Sequence, residues 1–375
     1  MKFGMAVAAA LAVAVAATPA LAAEDDDEVP IDDVAVPLPA YADLEVVDEP
    51  AQVFLSGGPT SNGLAVYDAT TGDVELLADL PGASGMARDG DDLYVALASG
   101  DAIAVLDVVT LEEKTRIGLD RQTCPEHMAI AERVLYFGYG CGNGWTGGVG
   151  SVALDDPELN PTLGLHCDPD PDDPEGECRV EFHRAPLIDA QTGRLLAAQL
   201  SLSQATVHTY HLGASPVYGD ALDKAGAHLM DVAFGADGDF YTGAASKDYA
   251  QAFGFENLDY RGSYPVGGQT RAVAPHTGEG VLAVGGYADL ADVAIYELGG
   301  VTPVATADLC RGKLAPRGLE WNGDATVLYG VTLCGNEGTP RLHILDDPLG
   351  IGDDGDPDRP NEPKPPTPPV PVPGT

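Results

Sequence analysis

The sequence predicts an all-β fold, a seven-bladed β-propeller closed by an N-terminal strand. Three observations carry this. Short apolar strands alternate with Gly, Asp, Pro and Asn turns, with few helical patterns between them. An apolar triplet recurs seven times at blade-sized spacing. The last repeat lacks a strand, and a spare one stands near the N-terminus.

The triplets are Val53-Phe54-Leu55, Leu93-Tyr94-Val95, Leu135-Tyr136-Phe137, Leu195-Leu196-Ala197, Phe240-Tyr241-Thr242, Val281-Leu282-Ala283 and Val327-Leu328-Tyr329. Their spacings are 40, 42, 60, 45, 41 and 46 residues, against roughly 40 to 50 for a four-stranded blade. The long interval holds an insertion, Cys167 to Cys178. Each triplet is expected to be a blade's second strand. Turns such as Arg88-Asp89-Gly90-Asp91 and Asn322-Gly323-Asp324 precede most of them, and third strands such as Leu64–Asp68 and Ile103–Asp107 follow. The seventh repeat runs into an Asp/Gly/Pro tail after Leu345. Asp33 to Leu38 is therefore expected to complete it, the alternative being a disordered N-terminal arm.

The ends read differently. Residues 1–22 have the form of an export signal: Lys2, an apolar stretch from Met5 to Ala17, and a small-x-small site at Ala20-Leu21-Ala22. The stretch is short of the roughly 20 residues that span a bilayer. The expected mature chain is a propeller over 23–349 with a Pro-rich acidic tail or spacer over 350–375. It is expected to be secreted or associated with the cell wall, monomeric, and not inserted in a membrane.

With 59 acidic and 19 basic residues, the formal net charge is -40. Such a surface repels phosphate backbones, which excludes nucleic acid as a partner. No nucleophile elbow, Walker loop or H-E-x-x-H is present.

Six cysteines in an exported chain suggest three disulfides. Cys124 and Cys310 precede the first strands of blades 3 and 7, and Cys141 and Cys334 end the second strands of the same blades. Strand starts and ends adjoin in an antiparallel pair, so Cys124–Cys141 and Cys310–Cys334 are expected, leaving Cys167–Cys178 across the insertion. A zinc site is the weaker alternative, since no C-x-x-C occurs. The insertion carries Asp168, Asp170, Asp172, Asp173, Glu175 and Glu177, oxygen donors suited to calcium. It departs from the EF-hand pattern: Asp173 stands at the turn-glycine place and Arg179 at that of the bidentate Glu. Solvated acidic loop is the competing reading, and no other cofactor is implied.

First strands line a propeller's channel, which makes Glu126, His127, His228, Asp231, Arg271, Arg317 and Glu320 candidates for its mouth. His127 and His228 are expected to face each other there. Trp145, in the loop Gly142-Asn-Gly-Trp-Thr-Gly-Gly148, is either an exposed recognition anchor or packing over the Cys124–Cys141 hairpin.

The segment GLAVYDATTGDVELLADLPGASGMARDGDDLYVALASGDAIAVLDVVTLEE resembles YVTN-type propeller repeats, and VLYFGYGCGNGWTGGVGSVALDD resembles the third-blade region of secreted actinobacterial proteins. Those proteins carry an N-terminal propeller, often followed by immunoglobulin-like repeats. The resemblance spans about residues 42 to 346 and implies a surface or secreted propeller. This chain departs from the larger members in its Pro-rich ending and added cysteines. The expected function is non-catalytic binding or scaffolding of an unknown protein or neutral glycan, through a face carrying Glu126, His127, Trp145, His228 and Arg317. The alternative is a propeller enzyme of lactonase or lyase type with a divalent cation at the channel mouth.

Overall fold

A strand whose consecutive residues are all apolar must be covered on both faces, because side chains alternate from face to face. The seven triplets meet this condition except at Thr242, a buried polar residue. In the computed structural model, which describes residues 31–350 except 143, 166–179, 236–237, 288–290, 311–312 and 335–337, each lies in a blade's second strand. Phe54 packs toward blade 2, while Val53 and Leu55 pack toward blade 7. Tyr94 turns to blade 3 and its neighbours Leu93 and Val95 to blade 1.

The described strands form seven antiparallel four-stranded sheets. Their first strands are Asp43–Val47, Ala83–Asp89, Pro125–Ala131, Leu187–Gln191, Leu229–Phe234, Gln269–His276 and Leu314–Trp321. Each touches the first strand of the next blade, and the last touches the first, so they enclose one axis. The hydrophobic core is correspondingly divided into seven clusters, one between each pair of neighbouring blades. Fourth strands such as Val74–Ala78 and Glu113–Gly118 form the mostly exposed outer rim, where charged side chains protect the sheet edges.

Blade 7 takes its outer strand from the other end of the chain. Ile31–Ala35 pairs antiparallel with Arg341–Asp346, with Ile31 opposite Leu345 and Ala35 opposite Arg341. The paired segment starts two residues earlier than the sequence suggests. After it, the Val36 amide still donates to the Pro340 carbonyl at 3.2 Å, and Leu38 is buried against blades 1 and 7. Asp33 and Arg341 form an ion pair across the junction. The expected export signal, the tail beyond 350, and Cys167, Cys178 and the insertion carboxylates lie outside the described residues.

Cys124 and Cys141 are disulfide-bonded, with Cα atoms 5.2 Å apart. Cys310 and Cys334 hold the corresponding places in blade 7 but are free thiols, which corrects the expectation of a bond there. Burial and a hydrogen bond to Cys334 push the Cys310 thiol up to about 12.

Deleting residues 23–39 should lower the melting temperature by many degrees, because it strips blade 7 of its outer strand and bares a sheet edge. Scanning calorimetry of the mature protein and the truncated form checks this. An unchanged transition would mean that the strand contributes nothing to ring stability.

Candidate functional site: a polar hub and an aromatic rim

In every blade the first strand is a sheet edge that faces the axis, so part of its backbone has no ladder partner. Buried amides of that kind need acceptors. Here acidic side chains supply them across blade junctions. Asp43 of blade 1 accepts from Met86 N of blade 2 at 2.7 Å. Asp189 of blade 4 accepts from Phe234 N of blade 5 at 2.6 Å. Asp231 of blade 5 accepts from Val273 N of blade 6 at 2.8 Å. Glu320 of blade 7 accepts from Val46 N of blade 1.

A cavity of about 400 Å³ opens along this axis, with Asp43, Asp189, Asp231, Arg317 and Glu320 in its wall. Arg317 is its central cation. Its guanidinium pairs with Asp43, donates to Nδ1 of His127 from blade 3, and donates to the Ala42 carbonyl at 3.3 Å. Tyr41 OH donates to the Arg317 carbonyl at 2.9 Å. Arg317 sits at φ 56° in a strongly bulged first strand, in which Leu314 pairs with Thr332 and Leu319 with Gly330. His127 can reach it because Gly85 lets blades 2 and 3 touch. A Cβ at that position would lie 2.3 Å from the Glu126 carbonyl oxygen and 2.7 Å from His127 Cα.

The electrostatics follow from burial. His127 is held well below its ordinary value by desolvation and by Arg317. It is therefore a neutral imidazole, and because Nδ1 accepts from Arg317, its proton is assigned to Nε2. Desolvation raises Asp231 to about 7, Asp189 to about 6 and Glu45 to about 7. Glu320 rises well above its usual range through burial and the charge of Glu45, and Glu126 is raised by burial.

The sequence-predicted face separates into two parts. Glu126, His127 and Arg317 converge on the hub. Arg317, expected as a recognition residue, is part-buried in the cavity wall and held by blades 1 and 3. His228 is exposed on the loop before its strand, at φ 54°, whereas His127 is part-buried at the axis. The loop is fixed through its backbone: His228 N donates to Leu202 O at 2.7 Å. Asp43, Asp189 and Tyr41 were missed as hub residues. A lone Asp inside a short apolar strand, as in Leu187-Ile188-Asp189 and Met230-Asp231-Val232, is the signal that finds them.

Trp145 lies at the rim on the same end of the blades, in the loop between the second and third strands of blade 3. It is 58% exposed and sits edge-on to His183 at 5.6 Å. It borders a second cavity, of about 270 Å³, with Tyr139, Glu181, Phe182 and Tyr210 in its wall. An antiparallel bridge between Gly147 and Phe182 holds the two sides together. Among the described residues, the acid and cysteine group at Asp101, Cys124 and Cys141 has its sulfurs joined to each other, and Asp101 accepts from the amides of Gln122, Thr123 and Cys124.

Comparison with solved structures settles the architecture. A chain of the Mitotic Checkpoint Complex superposes with a TM-score of 0.64 at 13% identity, covering 92% of this chain and 99% of that one. The WD40 repeats of RRP9 give 0.60 at 13%, covering 82% and 94%. The β-propeller domain of Cps50 (Swd1) from Myceliophteria thermophila gives 0.59 at 12%, covering 84% and 99%. This chain shares its fold with WD40 propellers. No family model matches the sequence, and no curated relative does. At these identities the likeness concerns the fold alone. Among the described residues, no helix is long and apolar enough to cross a membrane.

Two predictions follow from the hub. Arg317→Ala should cost about 3–5 kcal/mol in chemical denaturation, as removing one partner of a buried pair does. Adding Asp43→Asn should recover part of the loss. A loss under about 1 kcal/mol would show that Arg317 does not hold the ring. The second concerns pH. Asp231 titrates near 7 in the folded state and near 3.9 when unfolded. Between those values the folded protein holds a proton that the unfolded chain has released. Its contribution is therefore complete below about pH 4 and is lost as pH rises through 7, at up to about 1.4 kcal/mol per unit. Asp231→Asn should flatten this fall in urea titrations from pH 4 to 8, and an equally steep fall in that variant would refute the assignment.

Proposed function

We propose that this protein is an exported, non-catalytic binding or scaffold propeller of YVTN type, akin to the propellers of secreted actinobacterial proteins. It engages a protein or a neutral glycan through the loop face that carries Trp145. The observation that carries the reading is the division of labour on that face. The groups that acid–base chemistry would need, His127 and the hub carboxylates, are engaged in joining blades, while a large aromatic side chain stands exposed at the rim. Loops on a rigid ring are where recognition resides, and exposed Trp is a frequent anchor of binding energy. The fold neighbours include WD40 propellers, a scaffold compatible with this role; fold by itself does not assign function.

The test pairs binding with turnover. The purified mature protein should leave a panel of lactones and glycosides unchanged. Immobilised, it should retain a component of its native extracellular milieu, and Trp145→Ala should reduce retention at least about tenfold, the scale of an interface anchor, with its melting temperature unchanged. Turnover that disappears in a folded His127→Gln variant would replace this reading with the enzymatic one.

A further inference from the structure

The rim cavity between blades 3 and 4 has a composition that the binding reading does not explain. Four aromatic side chains, Tyr139, Trp145, Phe182 and Tyr210, contribute to its wall. Aromatic faces carry negative quadrupole density and attract cations, Trp most strongly. Glu181, exposed on the same wall, adds a carboxylate. The volume of about 270 Å³ is below the roughly 300 Å³ at which drug-sized pockets begin, so it suits a single head group.

Charge complementarity points the same way. The chain carries a net charge of -40, which draws cations toward its surface.

We propose that the cavity beside Trp145 is a site for an organic cation, the ammonium or guanidinium head of a lysine or arginine on a basic partner protein. This rests on the binding reading above and sharpens it: the partner is a protein with an exposed basic side chain rather than a neutral glycan. Trp145 supplies a cation–π face, and Glu181 supplies the counter-charge. The surrounding acidity steers the partner in and makes binding sensitive to salt.

The probe is Nα-acetyl-lysine methylamide, followed by line broadening of its ε-methylene protons in NMR, a signal that needs no tryptophan. The norleucine analogue, of similar length but uncharged, is the control. The lysine probe should bind saturably at low ionic strength, more tightly than the norleucine analogue, and release as sodium chloride is raised. Trp145→Ala should weaken it roughly two- to fivefold, the range for an exposed cation–π contact, and Glu181→Gln should weaken it as well. Equal binding of the two analogues, or lysine binding unchanged in Trp145→Ala, would overturn the proposal. So would Trp145-dependent binding of neutral oligosaccharides without lysine binding, an outcome that would leave the broader binding reading in place. Failure of the broader reading shows separately, as turnover in the lactone and glycoside panel.

Discussion

The ring depends on one recurring interaction: a carboxylate at the inner end of one blade accepting a backbone N–H from the next. Sheets in a propeller meet face to face through side chains, which gives attraction but little angular precision. The edges nearest the axis are different, since unpaired amides there demand acceptors in fixed places. Asp43, Asp189 and Asp231 meet that demand at three junctions, and Glu320 does so where blade 7 meets blade 1. Farther from the axis, Asp101 caps the amides leading into blade 3 and Asp292 those of Leu309 and Cys310 leading into blade 7. Trp321 Nε1 donates to the Ala274 carbonyl at 2.9 Å and joins blades 6 and 7.

The interaction has an electrostatic cost, and the hub is arranged around it. Carboxylates brought together out of water repel one another and resist ionisation. The Arg317 guanidinium pairs with Asp43 and favours the charged forms of Asp189 and Asp231, and Glu126 is favoured in its charged form by Arg184 first and then by Arg317. Its neutral neighbour His127 accepts a hydrogen bond from it without adding positive charge. The strained φ of Arg317 is consistent with a backbone bent to deliver this side chain to the axis.

Cohesion and solvent exposure are thus separated in space. The hub groups are committed to cohesion, and the rim loops, whose ends are pinned by backbone hydrogen bonds, are free to vary in chemistry. The Gly147–Phe182 bridge is an example. It fixes the loop bearing Trp145 against the start of blade 4 while leaving the indole mostly exposed.

The blade count, the position of every second strand and the Asp-terminated turns were legible in the sequence because they follow from local rules. A strand buried on both faces must be continuously apolar. Asp68 and Asp107 must cap their own turns, and do so at 2.7–3.0 Å and 2.8–2.9 Å. The equivalence of Cys124 and Cys141 with Cys310 and Cys334 was legible for the same reason, as a matter of repeat position. What sequence alone could not decide was which polar groups meet across the axis. Arg317 and His127 are 190 residues apart, and Arg317 and Asp43 are 274 apart. Only closure of the ring brings them together. Arg317 therefore reads as a channel-mouth residue in one dimension and is tied to blades 1 and 3 in three. Burial depends on what the other blades place around a side chain, a long-range property that no local pattern encodes.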